Sequence, residues 1–322
     1  MAPPAQRFDH AFITGFVAGV ASRLAFPTDV LPSVRCVSRP VLVKLLLSVR
    51  DELAVAGHKQ VSATALLGVL RDAGIAHIVP LDERAGNVRK DRLYAIGFGG
   101  TSTELDPVEL LQAHEPSGVV CYFTALAMLS LTTQLPAHHH IAILVSEGLA
   151  TIPRVTIPPP DPLAGESHIG ESSAPPALGS KAFAYQGIPY YTTRREAHRV
   201  VGVQTRYVNA KSRCRVTTVE QSLLDSLHRP HNCGGPAVVF EAWGAGSETL
   251  DAMRLVALLR TIDDSRITRR AGYMLSQFAP ALVNAVHELL PHHRPFAGEE
   301  LIPLLAGIPH TSIDHAWGVG VP

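Results

Sequence analysis

The sequence predicts an α+β protein in two parts: an N-terminal winged helix-turn-helix unit, then a larger mixed α/β unit with a helical tail. Three observations carry that prediction. Apolar residues recur at helical spacing over 41–56 and again after Ser62. Short β-prone runs flank a polar, basic turn at 82–91. Beyond residue 219 the periodicity is mainly helical and lies behind a region of strands, which suits an α+β unit better than a βαβ succession.

Taken in order, Val41–Ala56 (VLVKLLLSVRDELAVA) reads as a helix stopped by Gly57. Ser62 is placed as the N-cap of ATALLGVLRDAG, where Leu66, Leu67 and Leu70 form an apolar stripe and Gly74 supplies the stop. IAHIVPL and RLYAIG follow as two strands joined by DERAGNVRKD. Helix, helix and charged hairpin make a winged helix, whose second helix enters the major groove while the wing touches phosphates. The DNA contacts expected are Lys59, Ser62, Thr64 and Arg71 around the helix, with Arg84, Asn87, Arg89, Lys90 and Arg92 on the wing. A solvated basic turn is the competing reading. A further helix at about 9–24 would complete a three-helix core, so residues 1–38 stand as an N-terminal extension, 39–100 as the DNA-binding domain and 101–322 as the second domain.

Gly97-Phe98-Gly99-Gly100 reads as the interdomain hinge, and a polar connector runs from 98 to 118. Val119–Leu131 reads as a strand–helix unit and Ile141–Val145 as a buried strand. Seven prolines between 153 and 181 exclude helix and central strand, leaving a long surface loop. GIPYYT (187–192) and GVQTRYV (202–208) read as strands, followed by helices at 219–228, about 236–244, 248–262, 266–278 and 280–290.

Charge and cysteine usage bound the function. The 28 Lys/Arg balance 28 Asp/Glu, so only the local distribution is informative. Residues 1–100 carry 12 cations against 8 acids, 101–177 carry 1 against 8, and 178–322 carry 15 against 12. The densest positive stretch, 192–215, holds Arg194, Arg195, Arg199, Arg206, Lys211, Arg213 and Arg215 against Glu196 alone. It reads as a second nucleic-acid face, a partner surface or a strand edge protected by charge. Cys36, Cys121, Cys214 and Cys233 lie far apart with no CxxC pair, which argues for reduced thiols in a cytoplasm. The apolar run 11–21 is too short to span a bilayer, and Asp9 breaks the cationic leader that a signal peptide needs, so no membrane partner is expected.

The stretch VTTVEQSLLDSLHRPHNCGG (216–235) raises a choice between chemistry and architecture. Thr217 and Glu220 have capping-box spacing before an apolar face of Val219, Leu223, Leu224 and Leu227. Arg229-Pro230 ends that helix, Gly234-Gly235-Pro236 starts the next, and Arg229 is placed to pair with Asp225. His228, His231 and Cys233 lack a fourth ligand, and neither His138–His140 nor His292–His293 offers a better metal set, so no metal or cofactor is expected.

The same stretch resembles the AbiEi-type antitoxins of type IV toxin–antitoxin systems. Thr218, Glu220, Leu223, Leu224, Asp225, Arg229, Pro230, Gly234 and Gly235 fall on positions of that family's T-x-x-E … L-D … R-P … G-G pattern; Gln221 departs from its usual arginine and His231 stands at an aromatic position. SGVVCYFTALAML (117–129), AHRVVGV (197–203), RRAGYMLSQF (269–278) and the terminal DHAWGVGVP (314–322) are similar to further family segments in the same order. The resemblance covers roughly 200 residues and implies a non-enzymatic protein with a winged-helix domain ahead of an antitoxin domain. Its implied partners are double-stranded DNA at its own promoter and a nucleotidyltransferase-like toxin. The alternatives are an interaction-only protein, or a metal-dependent nucleotidyltransferase using Gly246-Ser247, Asp251 and Asp263-Asp264. In a helical reading Ser247 is instead an ordinary N-cap, and Asp263-Asp264-Ser265 is the cap of the next helix.

Overall fold

The computed structural model describes residues 8–53, 58–84, 92–97, 104–146, 178–290 and 301–322. The chain begins with α1 (His10–Arg23), β1 (Cys36–Ser38), α2 (Arg39–Leu53), α3 (Ala63–Asp72), β2 (Ala76–Ile78), β3 (Glu83–Arg84) and β4 (Leu93–Ile96). Asp9 caps α1 by accepting from Phe12 N–H, and Phe12, Phe16 and Val20 turn one side of the helix inward. α1 and α2 approach closely: a Cβ added at Gly19 would lie 2.7 Å from Val49 Cγ1. Leu42, Leu46, Leu66 and Leu70 are fully buried in the same cluster. β4 lies between β1 and β2, antiparallel to both. Residues 36–38, which the sequence places outside this unit, are therefore one of its strands.

The chain continues through α4 (Pro107–His114), β5 (Val119–Val120), α5 (Tyr122–Met128), β6 (His139–Val145), β7 (Ser180–Tyr185), β8 (Ile188–Glu196), β9 (Val203–Asn209) and β10 (Ser212–Thr217). A seven-stranded mixed sheet has the order β3-β7-β8-β6-β5-β10-β9, with β6 parallel to β8 and β5 parallel to β10. Its two faces follow strand alternation. Val120 and Ile141 pack with α4, Cys36 and Leu93, whereas their chain neighbours Cys121 and Ala142 pack into the helical layer.

That layer is α5, α6 (Val219–His228), α7 (Pro236–Gly246), α8 (Ala252–Ile262), α9 (Ser265–Phe278) and α10 (Val283–His287). A last small sheet, β11 (Ile302–Pro303), β12 (Ser312–Asp314) and β13 (Val319–Val321), has β13 in the centre. It seats Trp317 on α9, where a Cβ at Gly272 would lie 2.1 Å from the indole. Trp317 Nε1–H donates to Ser276 Oγ, and Arg269 Nε–H donates to Trp317 O. Two segments that carry the family resemblance thus meet.

Several expectations are corrected. The connector 98–118 contains α4, capped by a reciprocal Asp106–Glu109 box with Pro107 in the first turn. Of the proline-rich segment 153–181, residues 153–177 lie outside the described residues, and Ser180 and Lys181 belong to β7. The helix expected at 248–262 starts only at Ala252, after its Asp251 cap, and 280–290 splits into a 3-10 turn and α10. Among the described residues no helix is long and apolar enough to cross a membrane.

Candidate nucleic-acid interface

α3 stands out from the N-terminal unit because Leu66 and Leu70 bury one side and leave Thr64 and Arg71 exposed on the other. Between them, a Cβ added at Gly68 would meet nothing within 4 Å. Ser62 caps the helix by accepting from Ala65 N–H, so its hydroxyl is already engaged; Lys59 is exposed on the 3-10 turn before it. Arg71 leans on Asp72 at 3.4 Å with both side chains about 70% exposed, an ion pair that water screens and a stronger partner displaces. Sequence reasoning passes over Lys44, exposed on α2; its signal is a lone cation in the apolar run VLVKLLL.

The hairpin differs from the sequence reading. β2 and β4 pair as expected, in the register Ile78↔Tyr94, but the segment between them is stitched to the large sheet. Asp82 N–H donates to Ala184 O, Gly187 N–H donates to Asp82 Oδ2, and Arg84 sits in β3 opposite Phe183 of β7. The base of the turn is therefore part of the second unit, because its backbone finds an open sheet edge there. Arg92 accepts from Arg39 N–H through its carbonyl, and its Nε is buried without a hydrogen-bond partner among the described residues. Asn87, Arg89 and Lys90 lie outside the described residues.

The second basic stretch is not a uniform surface. Arg195 turns inward from β8 and makes two bonds of 2.5 and 2.6 Å to buried Asp225, with its guanidinium 5.2 Å from the Tyr122 ring centre. Burial opposes its charge, but Asp225 more than offsets this and raises its pKa. Arg195 is thus removed from the basic face, and the Arg229–Asp225 pair expected from sequence is replaced: Arg229 only donates its amide to Asp225 O.

The tip of the β9–β10 hairpin docks on the N-terminal unit. Lys211 Nζ donates to Ala25 O, Arg213 pairs with Asp29 at 2.6 Å, and Ser33 and Ser212 hydroxyls meet at 2.8 Å. Beneath them Glu109, buried in α4, accepts from Ser212 Oγ and Asn209 Nδ2 and faces Arg35 at 3.6 Å. This junction was missed from sequence, although Asp106-Pro107-Val108-Glu109 announced its helix. Arg215 donates to Ser117 O while staying exposed, Arg199 pairs with Glu196 at 3.2 Å, and Arg194 and Arg206 are exposed.

The 216–235 stretch is architectural in its contacts, though not through the expected cap. Thr217 ends β10 opposite Val203, where its hydroxyl bonds Ser222 Oγ at 2.7 Å. Thr218 is the N-cap instead, and Glu220 accepts from Asp251 N–H, joining α6 to the start of α8. A one-residue displacement follows because the last strand residue cannot turn out of its ladder. Pro230 opens a 3-10 turn that ends at Gly234, with φ +89°, followed by Gly235, with φ +91°.

His138 and the first two residues of β6, His139 and His140, form a buried, neutral cluster. His138 Nε2 meets Asn232 O at 3.2 Å, His140 Nε2 meets Leu178 O at 3.0 Å, and His139 Nδ1 meets Thr124 Oγ1 at 3.3 Å. Burial, reinforced by neighbouring histidines, lowers His139 to about 4 and His140 to about 3. Burial likewise lowers His228 to about 4, and pushes the Cys121 and Cys214 thiols up to about 12. Among the described residues no group of three or more His, Cys, Asp or Glu could hold a metal ion. Asp251 and Asp264 are N-caps and Asp263 closes α8 in the left-handed region; Ser247, expected as an N-cap, is instead the C-cap of α7 and donates to Gly244 O, because α8 starts only after Asp251.

No protein-family model matches the chain, and no curated protein matches it. A solved structure, described as the RV2827C protein from Mycobacterium tuberculosis, is similar over 98% of this chain and 92% of its own, with a TM-score of 0.53 and 15% identity. At that identity the likeness speaks for the fold, which this chain shares along nearly its whole length.

Proposed function

We propose that this protein is a DNA-binding antitoxin and autorepressor of a type IV toxin–antitoxin operon, acting in the cytoplasm. The observation that carries the reading is the order α1-β1-α2-α3-β2-β4 with the sheet order β1-β4-β2. This arrangement supports a winged helix: α3 is the last helix before the hairpin, and its outer residues Thr64, Gly68 and Arg71 are open. Lys59, exposed on the turn before α3, and Lys44, exposed on α2, are the candidate phosphate ligands beside it, with Arg89 and Lys90 as the wing contacts. The antitoxin part of the reading is supported by the ordered resemblance of the second unit.

A gel-shift titration against the DNA upstream of the gene, at two salt concentrations and with a scrambled duplex as control, tests this. Specific, salt-sensitive binding is the expected result, and the double variant Arg89→Ala/Lys90→Ala should lower the salt slope by roughly one unit per lost phosphate contact. Binding that is equal for both duplexes, or a slope unmoved by the double variant, refutes the winged-helix reading. A second reading, an interaction-only antitoxin, is favoured by one fact: Arg71, the single cation on α3, is already beside Asp72. Absence of any DNA binding would select it.

A further inference from the structure

The seven-stranded sheet ends in β9, whose one paired neighbour among the described residues is β10. Its seven residues span about 23 Å of extended chain, and among the described residues no strand lies on its outer side. Ladder alternation fixes which groups face outward. Thr218 N–H donates to Gly202 O, so Gln204 and Arg206 point their amides at β10, while Thr205 and Tyr207 point theirs away. Both of these outward residues have exposed side chains, Tyr207 at 67%. The cations around this edge share one sign: Arg206 on the strand itself and Arg215, directly opposite Thr205, are both exposed. Among the described residues the acids that touch these strands and Ser117 are engaged, Glu109 with Asn209 and Ser212, Glu115 with Ser117 and Asp29 with Arg213.

We propose that β9 is the docking edge for an extended acidic segment of a partner protein, which adds to the sheet as an eighth strand. An extended peptide satisfies the outward amides and carbonyls in register, and its acidic side chains fall beside Arg206; Arg215, one strand further in, donates to Ser117 O and adds only to the local positive field. A second copy of this chain fits less well, since β9 paired with itself about its centre sets Arg206 against Arg206. The proposal goes beyond the repressor reading and does not depend on DNA binding.

The test is fluorescence anisotropy of the full-length protein with a labelled octapeptide alternating valine and glutamate, its valine–lysine counterpart, and single-stranded oligothymidylate of the same length. The glutamate peptide should bind saturably and better than both controls. Thr205→Pro removes an outward donor that the β10 ladder does not use, so it should weaken binding by about tenfold or more without loss of helical and strand signal. Arg206→Gln should weaken it by about threefold. The same glutamate peptide N-methylated at every second residue, which blocks one edge of the peptide instead of the protein, should not bind in at least one of its two phasings. Undiminished binding of both methylated forms, preference for the lysine peptide or the oligonucleotide, or a wild-type dimer that Thr205→Pro dissolves would each overturn the proposal. The titration contains no DNA, so its failure leaves the repressor reading standing, and the converse holds.

Discussion

Two stretches of this chain are rich in Lys and Arg, and the fold treats them in opposite ways. Around α2 and α3 Lys44, Lys59 and Arg71 face solvent, Arg71 with only a screened neighbour, while Arg50 is held by Val61 O and Asp51. Over 192–215 the cations are many and mostly engaged inside the molecule. Arg195 is locked to Asp225, Lys211 and Arg213 hold the N-terminal unit, and Arg215 reaches Ser117 O. Charge density along a sequence therefore overstates the surface charge of a region whose strands and hairpin tips pack against other elements. Fewer cations on a helix with one buried side can offer more to a ligand.

The comparison breaks most sharply at Arg195. Arg195→Ala leaves the Asp225 carboxylate buried without its bidentate partner, for an expected loss of about 3–5 kcal/mol in urea unfolding. Arg206→Ala, on the exposed edge, should stay within about 0.5 kcal/mol. Equal effects of the two changes would mean that burial does not separate them.

Acid tests the same interior through its neutral histidines. In the folded protein His139 has its pKa lowered to about 4, below the ordinary 6.5, because burial disfavours the imidazolium. Between those values the unfolded chain binds a proton that the folded chain does not, so stability falls as pH drops from about 6.5 and this contribution levels off below about 4. The full contribution of His139 is about 3 kcal/mol, and a His139→Gln variant should show a flatter stability profile over that window. An unchanged slope would place the titration elsewhere, with His140 and His228 the next to replace.

The paired glycines give a smaller, graded effect. A Cβ at Gly234 would lie 2.7 Å from Phe123 Cε1 and 2.8 Å from Val238 Cγ2, in backbone already left-handed at φ +89°. Gly234→Ala should cost about 2 kcal/mol or more through combined overpacking and strain. At Gly235 the space is open, but φ +91° with ψ −178° lies in a region essentially reserved for glycine, so Gly235→Ala should cost about 1–3 kcal/mol through the backbone alone. Thermal unfolding of the two variants measures both costs, and a Gly235→Ala protein as stable as the wild type would sink the backbone argument.

Much of this architecture was legible because it is local. α2, α3, α6 and α9 announce themselves by apolar spacing, and Ser62 by its place before such a run. α4 carried an equally clear Asp-Pro-x-Glu start but was lost in the polar segment before it. β10 (SRCRVT) reads as charge because its buried alternate positions are Ser212, Cys214 and Val216, of which only Val216 is strongly apolar. β3 and the small last sheet depend on partners about 100 and about 20 residues away, which no local pattern encodes. For the candidate site, sequence could place α3 and its cap. It could not tell that Arg195 turns inward, because that depends on Asp225, 30 residues on.

The smallest expected effect separates two ways of holding the N-terminal unit. Arg213 pairs with Asp29, which is 98% exposed, so water competes for the carboxylate and Arg213→Ala should change global stability by less than about 1 kcal/mol. The buried contacts beneath, Ser33 to Ser212 and Ser212 to Glu109, have no such competitor. Replacing Ser212 by alanine leaves Glu109 short of a donor in a dry site and should cost about 1–3 kcal/mol. Amide exchange at Val34, which donates to Lys211 O across the joint, reads the local opening directly. If Arg213→Ala speeds that exchange as much as Ser212→Ala does, the surface cations secure the joint. If only Ser212→Ala does, the cations of this stretch are bystanders at the rim of a buried polar contact.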